Sequence, residues 1–586
     1  MLARLPLRTV AMRSLLMRTP IVGLGSVSHG FSASIATRSI SYTHASFAEA
    51  PKSSVPPSTA TPNTPPVPKA KKGPKYGWFN LIFKASVFSV VGFWGWLTWR
   101  VYKETNPGEQ LPQSPLKENG NKRKNIVILG SGWGAISYLS KLDTTQYNVT
   151  IVSPRNYFLF TPLLPSVPSG TIDSRSICDP VRTIARATPG EVRYMEAQAI
   201  DIDPEARCIQ LEHNSERFSV GDAFINDNEP IRATIDYDYL IYAVGATVNT
   251  FGIPGIPENA SFLKESNDAT AIRQKLFNSI EAARLLPKDS SERKRLMNFV
   301  VCGGGPTGVE LAAEIQDYID QDLCKFIPGI EKEMKVTLIE ALPNVLASFH
   351  PRLIEYTKSI FKEQGLDLLA NTRVQSVDKR NVYATLKKSD GTTEDVVVPY
   401  GTLVWAGGNT QRPITKRLAS KILEQRTARR GLLVDDYLKL DGDDHIFALG
   451  DCTFTTNPPT AQVAHQQGHF LAEYFNKLAK LDDLEYSLSK DTDQSQKYDS
   501  KIERVKQSML PFKYRHQGSL AYIGTERAVA DLSWGSWSTV ALGGSLTFLF
   551  WRTAYVSMML GMRNKILVMT DWLKVAIFGR DCSKES

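Results

Sequence analysis

Two glycine-rich segments of the chain have the residue types and spacing that hold a dinucleotide. The first, VILGSGWGAISYL, covers residues 127–139, and the second, VVCGGGPTGVEL, covers residues 300–311. In both, an apolar run typical of a β-strand leads into closely spaced glycines and then into a helical pattern. Such a turn lets the backbone approach a pyrophosphate at the N-terminus of a helix. The sequence therefore predicts two separate dinucleotide sites.

The first segment is predicted to bind FAD, because two further strand-to-glycine turns follow it in the expected order. They are DYDYLIYAVGA at residues 236–246 and HIFALGDCT at residues 445–453. In flavoproteins with two dinucleotide sites, an aspartate in the second setting hydrogen-bonds the ribityl chain. The strand after the first loop ends at Ser153, where an acidic ribose ligand is usual. The predicted FAD contacts are Gly130, Gly132, Gly134, Ala135, Ser153, Thr161, Gly245, Gly450, Asp451, Ala461 and Gln462.

The second segment is predicted to bind NADH. The strand KVTLIE that follows its helix ends at Glu340, whose carboxylate would bind both ribose hydroxyls and repel the 2′-phosphate of NADPH. Glu340 lies further from the loop than is usual, and a longer helix through Phe326 would account for the gap. Glu310 either holds the nicotinamide end or is an ordinary first-turn glutamate favoured by the helix dipole. The predicted NADH contacts are Gly303, Gly305, Pro306, Thr307, Gly308, Glu310, Glu340 and Gly407.

Together the two sites predict hydride transfer from NADH to a flavin, with the protein supplying position and electrostatics. The six cysteines include no CxxC pair, and the segment after the first βαβ unit contains only Cys178. A dithiol relay, a disulfide framework and a metal site are therefore not expected. The electrons are expected to leave the flavin directly for an acceptor.

The predicted acceptor is a quinone. A helix beginning near PPTAQVAHQQG would place Gln462 and His465 one turn apart on one face, as polar groups suited to a quinone carbonyl. A plain helix-surface pair is the alternative. The methionine-rich segment 551–581 carries Arg552, Arg563 and Lys574 at intervals of eleven residues, which predicts a cationic stripe on a helix, or on a helix pair broken near Gly561. This apolar surface is expected to lie in a membrane interface, with dimer packing as a competing use.

The N-terminal region predicts targeting and membrane contact. The first residues are rich in arginine, serine and alanine and contain no acidic residue before Glu49, which favours a mitochondrial presequence over a disordered basic tail. Residues 76–102 form an apolar, aromatic-flanked segment, predicted to span the membrane, with an interfacial helix as the alternative. Lysines before it would keep its N-terminal side in the matrix and the body in the intermembrane space. The net charge of +9 is modest and does not favour nucleic acid as a partner.

Several of these segments together resemble one family. The motifs RNYFLFTPLLPSVPSGT, GGGPTGVELAAEI, FALGDC, TAQVAHQQG, YRHQGSLAYIG and WRTAYVSMMLGMRNK are similar to those of the fungal mitochondrial type II, or alternative, NADH dehydrogenases. The resemblance implies a non-covalently bound FAD, NADH as substrate, ubiquinone as acceptor, no proton pumping, attachment to inner-membrane lipid through the C-terminal domain, and a homodimer. It places Gln462 and His465 between flavin and quinone, with Tyr555 and Met558 near the quinone access. The segment at residues 76–102 resembles that of members that face outward from the inner membrane.

The expected fold is α/β, with two Rossmann-like dinucleotide-binding units and a C-terminal membrane-anchoring domain. The polar stretch 482–505 is expected to be a solvated insertion without a calcium site. The expected boundaries are 1–48 for the presequence, 49–75 for a Pro/Ser-rich linker, 76–102 for the spanning helix, 120–285 and 405–505 for the two parts of the FAD domain, 286–404 for the NADH domain and 506–586 for the C-terminal domain.

Two other functions fit parts of the pattern. A sulfide:quinone oxidoreductase shares the plan and the membrane tail, but it needs a cysteine pair at the flavin and has no use for Glu340. A soluble NADH oxidase or flavin-dependent apoptosis factor has no need of the amphipathic C-terminal region.

Overall fold

The computed structural model describes residues 77–213, 230–491, 495–534 and 538–583. The predicted presequence and linker lie outside the described residues. Contacts divide the chain into Met1–Asn80, of which residues 77–80 are described, and Leu81–Ser586. Apart from the first turn of the first helix, the described helices and strands belong to Leu81–Ser586.

The described elements alternate between strands and helices through most of the chain. The helices are α1 (Gly77–Thr105), α2 (Trp133–Lys141), α3 (Val181–Arg186), α4 (Ile256–Asn259), α5 (Ser266–Arg284), α6 (Ser291–Leu296), α7 (Pro306–Tyr318), α8 (Cys324–Phe326), α9 (Ile330–Glu333), α10 (Pro351–Gln364), α11 (Pro413–Lys421), α12 (Ala461–Lys490), α13 (Ser495–Gln507), α14 (Ser545–Met558) and α15 (Met562–Phe578). The strands are β1 (Asn125–Leu129), β2 (Asn148–Val152), β3 (Tyr157–Leu159), β4 (Cys178–Pro180), β5 (Val192–Met195), β6 (Gln198–Asp203), β7 (Cys208–His213), β8 (Ile231–Asp236), β9 (Tyr239–Tyr242), β10 (Ala246–Val248), β11 (Ser261–Phe262), β12 (Asn298–Cys302), β13 (Lys335–Ile339), β14 (Asp367–Leu369), β15 (Thr372–Val377), β16 (Asn381–Lys387), β17 (Thr393–Pro399), β18 (Thr402–Trp405), β19 (Asn409–Gln411), β20 (Ile446–Ala448), β21 (Ser519–Gly524), β22 (Arg527–Trp534) and β23 (Ser538–Gly544).

The first dinucleotide unit is built on a five-stranded parallel sheet in the order β20-β9-β1-β2-β5. Its central strands are apolar and buried, as expected for a parallel sheet covered on both faces. Helix α12 packs on α2 so closely that a Cβ at Gly468 would lie 2.5 Å from the carbonyl oxygen of Gly134. The glycine pair therefore brings the start of α12 next to the loop after β1.

The second dinucleotide unit, which we call the NADH unit, is built on a parallel sheet in the order β11-β18-β12-β13-β14. The antiparallel strands β15 to β17 extend it. Strand β11 pairs with β18, and α5 packs on these strands, so the unit begins near Ser261. The sheet and its helix α5 thus include residues before the boundary expected at residue 286. Two paired residues in β11 are too few to produce an alternating or apolar pattern in the sequence.

Antiparallel strands β10 and β19 lie side by side where the chain enters and leaves the second unit, with Val248 opposite Asn409. The second dinucleotide unit is thus inserted in the first dinucleotide unit, as the order of the glycine turns predicted. Helix α7 continues through a π-helical turn, Ile319–Leu323, into α8 and ends at Phe326. The long helix expected between the second loop and Glu340 is present.

The polar stretch 482–505 is the segment expected to be a solvated insertion. It is helical in its described part, because α12 runs to Lys490 and α13 begins at Ser495. The two helices pack through Leu481, Ile502 and Val505. In the sequence these apolar residues are widely spaced among charged ones, so the pattern did not predict that they pack together.

The C-terminal region is a three-stranded antiparallel sheet, β21 to β23, followed by α14 and α15. The helix pair breaks at Met559–Gly561, as expected. The break shifts the helical phase, so the predicted cationic stripe is wrong: Arg552 lies partly buried over Phe548 and Trp572, whereas Arg563 and Lys574 are exposed. The exposed apolar side chains of the pair and the turn between its helices are Leu546, Leu549, Phe550, Met558, Leu560, Met569, Leu573, Ile577 and Phe578.

Helix α1 covers the segment expected to span a membrane. Its described side chains include exposed aromatic residues together with the charged Lys84, Arg100, Lys103 and Glu104. Among the described residues, no helix combines the length and the apolar character that crossing a bilayer requires. The prediction of a spanning helix over residues 76–102 is therefore not supported.

Candidate active site

A cavity of about 1510 Å³ joins the two dinucleotide loops and the C-terminal helix α14. Its wall includes the loop after β1, the start of α7, the turn after β20 and the start of α12. Most of the predicted site residues lie along this wall. Those lining it are Gly130, Gly132, Gly134, Ser153, Thr161, Gly245, Gly305, Pro306, Thr307, Glu310, Gly407, Gly450, Asp451, Ala461, Gln462, Tyr555 and Met558.

The loop after β1 has the shape of a pyrophosphate cradle. Gly130 has a φ of +110°, its N–H donates to Val152 O at 2.8 Å, and a Cβ there would lie 2.4 Å from Ala243 O. Only glycine fits such a position. Gly132 then caps α2, whose N-terminus points its free N–H groups toward the cavity side of the loop. Ala135 is fully buried under this turn. These residues fit the diphosphate of FAD.

Ser153 and Thr161 are both held by hydrogen bonds at the cavity wall. The Ser153 hydroxyl lies 3.0 Å from that of Ser131 and accepts from Arg155 N at 3.1 Å. Trp133 Nε1 donates to Thr161 Oγ1 at 3.0 Å. Ser153 therefore shapes the loop directly, and its role as a ribose ligand stays a prediction.

An acid from the turn after β20 and a base from the segment after β11 both line the cavity. Gly450 has a φ of +77°, and its N–H donates to Gln467 Oε1 at 2.8 Å. Burial raises the pKa of Asp451, and the positive charge of Lys264 partly opposes this. Burial also lowers the pKa of Lys264, whose Nζ donates to Asn409 Oδ1 at 2.8 Å. Lys264 was missed in the sequence because it lies on the short connection from β11 to α5, outside any motif.

The second loop has the same cradle shape. Gly303 has a φ of +120°, and its N–H donates to Ile339 O at 2.8 Å. A Cβ at Gly308 would lie 1.9 Å from Gly303 O, so this helical position must be glycine. Glu340 accepts from Gly304 N at 2.5 Å and from Leu342 N at 2.7 Å. Glu340 lies beside the loop, outside the residues that line the cavity, where a ribose bound along the loop would meet it.

Glu310 lies on α7, buried at 6% exposure, and faces the cavity. Its Oε1 accepts from Tyr522 N at 3.1 Å. Burial, which is only partly offset by that hydrogen bond, raises the pKa of Glu310 to about 8. The carboxyl is therefore mostly protonated at neutral pH and can donate a hydrogen bond or a proton into the cavity. Glu310 is buried and lies beyond the first turn of α7, which does not favour the alternative of an ordinary first-turn glutamate, and its role at the nicotinamide end stays a prediction.

Gln462 and His465 are not brought together. The Gln462 side-chain oxygen accepts from Tyr514 Oη at 2.5 Å and from Gln517 N at 3.1 Å, at the cavity wall. His465 points to α2, where its Nδ1 lies 2.7 Å from Ser137 Oγ, and it is not among the residues lining the cavity. His465 therefore lies on the side of α12 that α2 covers, and its position between flavin and quinone stays a prediction.

The predicted residues of the C-terminal domain do reach the cavity. Phe550, Ala554 and Met558 follow one another at single-turn intervals on α14 and line it together with Tyr555. Tyr555 is buried, with its ring 4.7 Å from Trp551 and 6.1 Å from Phe160. Phe550 and Met558 are both exposed and line the cavity, on a helix whose other exposed apolar side chains include Leu546 and Leu549.

Comparison with known proteins decides the family. Residues 124–468 match the pyridine nucleotide-disulphide oxidoreductase model, and residues 516–581 match the NDH2 C-terminal domain. The chain is 49% identical over 528 residues to the mitochondrial external alternative NADH-ubiquinone oxidoreductase of Yarrowia lipolytica, with 87% of this chain and 88% of the relative covered. It is 48% identical over 510 residues to the mitochondrial external NADH-ubiquinone oxidoreductase 2 of Saccharomyces cerevisiae, covering 86% of this chain and 90% of the relative. The chain belongs to the mitochondrial NADH-ubiquinone oxidoreductases.

Solved structures agree with membership of the NADH-ubiquinone oxidoreductases. The structure of NDH2 from Plasmodium falciparum in complex with NADH is 27% identical, has a TM-score of 0.67 and covers 79% of this chain and 100% of that one. The sulfide:quinone oxidoreductase of Aquifex aeolicus shares the fold, with a TM-score of 0.54 at 18% identity. In this NADH-ubiquinone oxidoreductase, none of the six cysteines is among the residues lining the cavity, so the described site offers no thiol pair for sulfide chemistry.

Proposed function

We propose that this chain oxidises NADH and reduces ubiquinone, with a non-covalently bound FAD between them and without proton pumping. The observation that carries the proposal is the shared cavity, whose wall includes both glycine loops and the C-terminal helix α14. FAD bound there supplies the chemistry, accepting a hydride from NADH and passing two electrons to a quinone. The relatives that cover most of this chain carry the same activity in their names.

The residues of the chain bind, orient and shield the reactants. The glycine cradles at Gly130 and Gly303 hold the two diphosphates, and Asp451 is the proposed ribityl ligand. Glu340, beside the second loop, selects NADH over NADPH by charge. The neutral carboxyl of Glu310 is placed to bind the nicotinamide amide or to give a proton to the quinone oxygen. We assign the quinone end of the cavity to Gln462, Tyr555 and Met558, without His465.

The apolar surface of α14 and α15 is the proposed site of contact with lipid. Its exposed leucines and phenylalanines lie on the same helix pair as the exposed cations Arg563 and Lys574, a combination expected for a helix pair in the membrane interface. Met558 and Phe550 connect that surface to the cavity, so a quinone in the bilayer can approach without crossing water. Packing between two copies of the chain is a second use of the same surface, and we propose a homodimer.

We place the enzyme in mitochondria, on the inner membrane, with its body in the intermembrane space. Mitochondrial placement follows from the relatives, and their names describe them as external. Protease added to mitochondria with a ruptured outer membrane would then digest the enzyme, whereas protection until the inner membrane is opened would place it in the matrix. Sedimentation equilibrium in detergent tests the dimer.

An anaerobic flavin titration tests the central proposal. NADH should bleach the flavin of the purified protein, NADPH should bleach it much less, and a ubiquinone analogue should restore the oxidised spectrum. A flavin that NADH bleaches but quinone does not reoxidise would refute the assigned acceptor. Preparations of the Met558→Glu variant provide a control, because they should bleach normally with NADH and recover slowly with quinone.

A further inference from the structure

A second cavity, of about 350 Å³, lies between the C-terminal helix pair and α7. Its inner end is polar and is formed by Thr171, Glu314, Asp322 and Arg580. Its outer end is formed by residues of α14 and α15, including Arg552, and by the highly exposed Ile577 and Phe578. The cavity therefore opens beside the apolar surface that we assign to lipid. Nothing in the proposed redox reaction uses it.

The polar groups at the inner end already have partners. Glu314 accepts hydrogen bonds from the hydroxyls of Ser166, Ser169 and Thr171. Arg580 bonds Thr171 and Asp322, at 2.8 and 2.9 Å, and lies 3.7 Å from Glu314. The two acids are further neutralised by Lys325, which pairs with Asp322 at 3.2 Å. This end of the cavity is balanced in charge and needs no ligand.

Arg552, at the outer end of the cavity, differs from these polar groups in its surroundings. Its guanidinium lies between two aromatic rings, 4.3 Å from the centre of Phe548 and 4.9 Å from that of Trp572. Aromatic faces attract the charge but accept its N–H groups poorly. The buried Nε has no hydrogen-bond partner, and no carboxylate among the described residues lies within 4.0 Å of Arg552. Glu526 is the acid whose charge acts on it most, and that side chain is exposed at the cavity mouth. Burial lowers the pKa of Arg552, which shows that its charge is poorly solvated.

A planar guanidinium without an anion is the group that recognises phosphate through paired N–H donors. We propose that the second cavity binds the phosphate of an anionic phospholipid, with Arg552 as its ligand and the acyl chains lying over Ile577 and Phe578. The occupant is a lipid and not free phosphate, because the wall continues from Arg552 onto exposed apolar side chains. This proposal rests on the proposed contact of α14 and α15 with lipid.

Vesicle co-sedimentation of the full FAD-loaded chain tests it, with phosphatidylcholine vesicles compared with vesicles in which one lipid in five is phosphatidylglycerol. Wild-type protein should bind the anionic vesicles more tightly, and Arg552→Gln should reduce that gain by about tenfold, the cost of losing a bidentate charged pair. Arg552→Lys keeps the charge without the planar fork and should restore only part of the gain. Arg563→Gln is the matched control, because Arg563 is an exposed arginine of α15 whose side chain bonds only Asn564.

Each outcome separates the two proposals. A chain that binds neither kind of vesicle would refute the lipid contact itself. Binding that is equal on both vesicles, or equally weakened by Arg552→Gln and Arg563→Gln, would overturn the phosphate site and leave the lipid contact standing. Displacement of wild-type protein from anionic vesicles by millimolar inorganic phosphate, but not by equal chloride, would overturn the assignment to lipid. Unchanged melting temperatures and unchanged reduction by NADH confirm that each variant has folded.

Discussion

The hydroxyl of Tyr514 donates a 2.5 Å hydrogen bond to the side-chain oxygen of Gln462. The bond joins the segment before β21, in the C-terminal domain, to the first turn of α12 at the wall of the larger cavity. It fixes which way the Gln462 amide is turned, since Gln517 N donates to the same oxygen. The C-terminal domain therefore helps to set the proposed quinone end of the site, in addition to its proposed contact with lipid.

Tyr514→Phe should weaken quinone binding without affecting NADH. Loss of this hydrogen bond frees the Gln462 amide, and a bond of this kind contributes about 1 kcal/mol, so the KM for ubiquinone should rise roughly fivefold. Stopped-flow reduction of the flavin by NADH should not change. Tyr437→Phe is the control, because that hydroxyl bonds Met509 O at 3.3 Å, away from the cavity lining. A slower reductive half-reaction in Tyr514→Phe would contradict this division of roles.

Glu340→Gln should make the enzyme accept NADPH. The variant removes the charge that repels a 2′-phosphate, and the ratio of kcat/KM for NADPH to that for NADH should rise about tenfold. Damage to the loop itself cancels in the ratio, although Gln can accept only one of the two backbone hydrogen bonds that Glu340 accepts. Glu355→Gln, at an exposed position bonded to Lys358, should leave the ratio unchanged. An unaltered ratio in Glu340→Gln would remove Glu340 from nucleotide selection.

Glu310 should make the fold less stable as the pH rises. Its pKa is raised from 4.5 to about 8 in the folded chain, so the folded state holds a proton that the unfolded state has lost throughout that interval. The free energy of unfolding should therefore fall with increasing pH between about 4.5 and 8, by roughly 1.4 kcal/mol per unit at most.

Melting temperatures of wild type and Glu310→Gln across this range measure the effect as a difference, because the other titrating groups are common to both. Gln keeps the acceptor for Tyr522 N and should be relatively more stable above pH 8. Glu281→Gln, on the exposed side of α5, should behave like wild type. If the melting temperatures of wild type and Glu310→Gln change with pH in parallel, Glu310 does not carry the proton.

His465→Ala should lower stability but preserve quinone reduction. The substitution removes the 2.7 Å bond to Ser137 and the contacts with Trp133 and His469, at a cost of about 1 to 2 kcal/mol. Thermal unfolding measures the loss, and quinone-driven reoxidation of the flavin tests the chemistry. Reoxidation slowed by orders of magnitude in a folded His465→Ala protein would return His465 to the mechanism.

Local patterns were enough to predict the two loops. The turns at Gly130 and Gly303 need glycine for reasons within a few residues, so their sequence carries the signal. The break near Gly561 is also predictable from local sequence, because a glycine interrupts an apolar helical pattern there. The fold class and the insertion of one unit in the other followed from the order of these turns.

Features set by distant contacts were not predictable. The direction of His465 depends on α2, which lies more than three hundred residues earlier in the chain. Lys264 and β11 have no local pattern, because a single buried lysine and a two-residue strand are defined by what packs around them. The prediction that Arg552 shares one face with Arg563 and Lys574 was wrong for a related reason. An eleven-residue spacing places side chains on one face only while the helix is continuous, and here the helix is broken.

Because β10 pairs with β19, the chain enters and leaves the NADH unit through a single two-stranded ribbon. Val248 and Asn409 are direct partners, so the chain leaves the flavin unit and returns to it within one strand spacing, about 5 Å. A two-residue hairpin turn spans that gap. The chain path alone would therefore let the flavin unit be closed behind the NADH unit without rerouting, so what holds the two units together is the apolar core that α7 shares with the flavin unit and the C-terminal region.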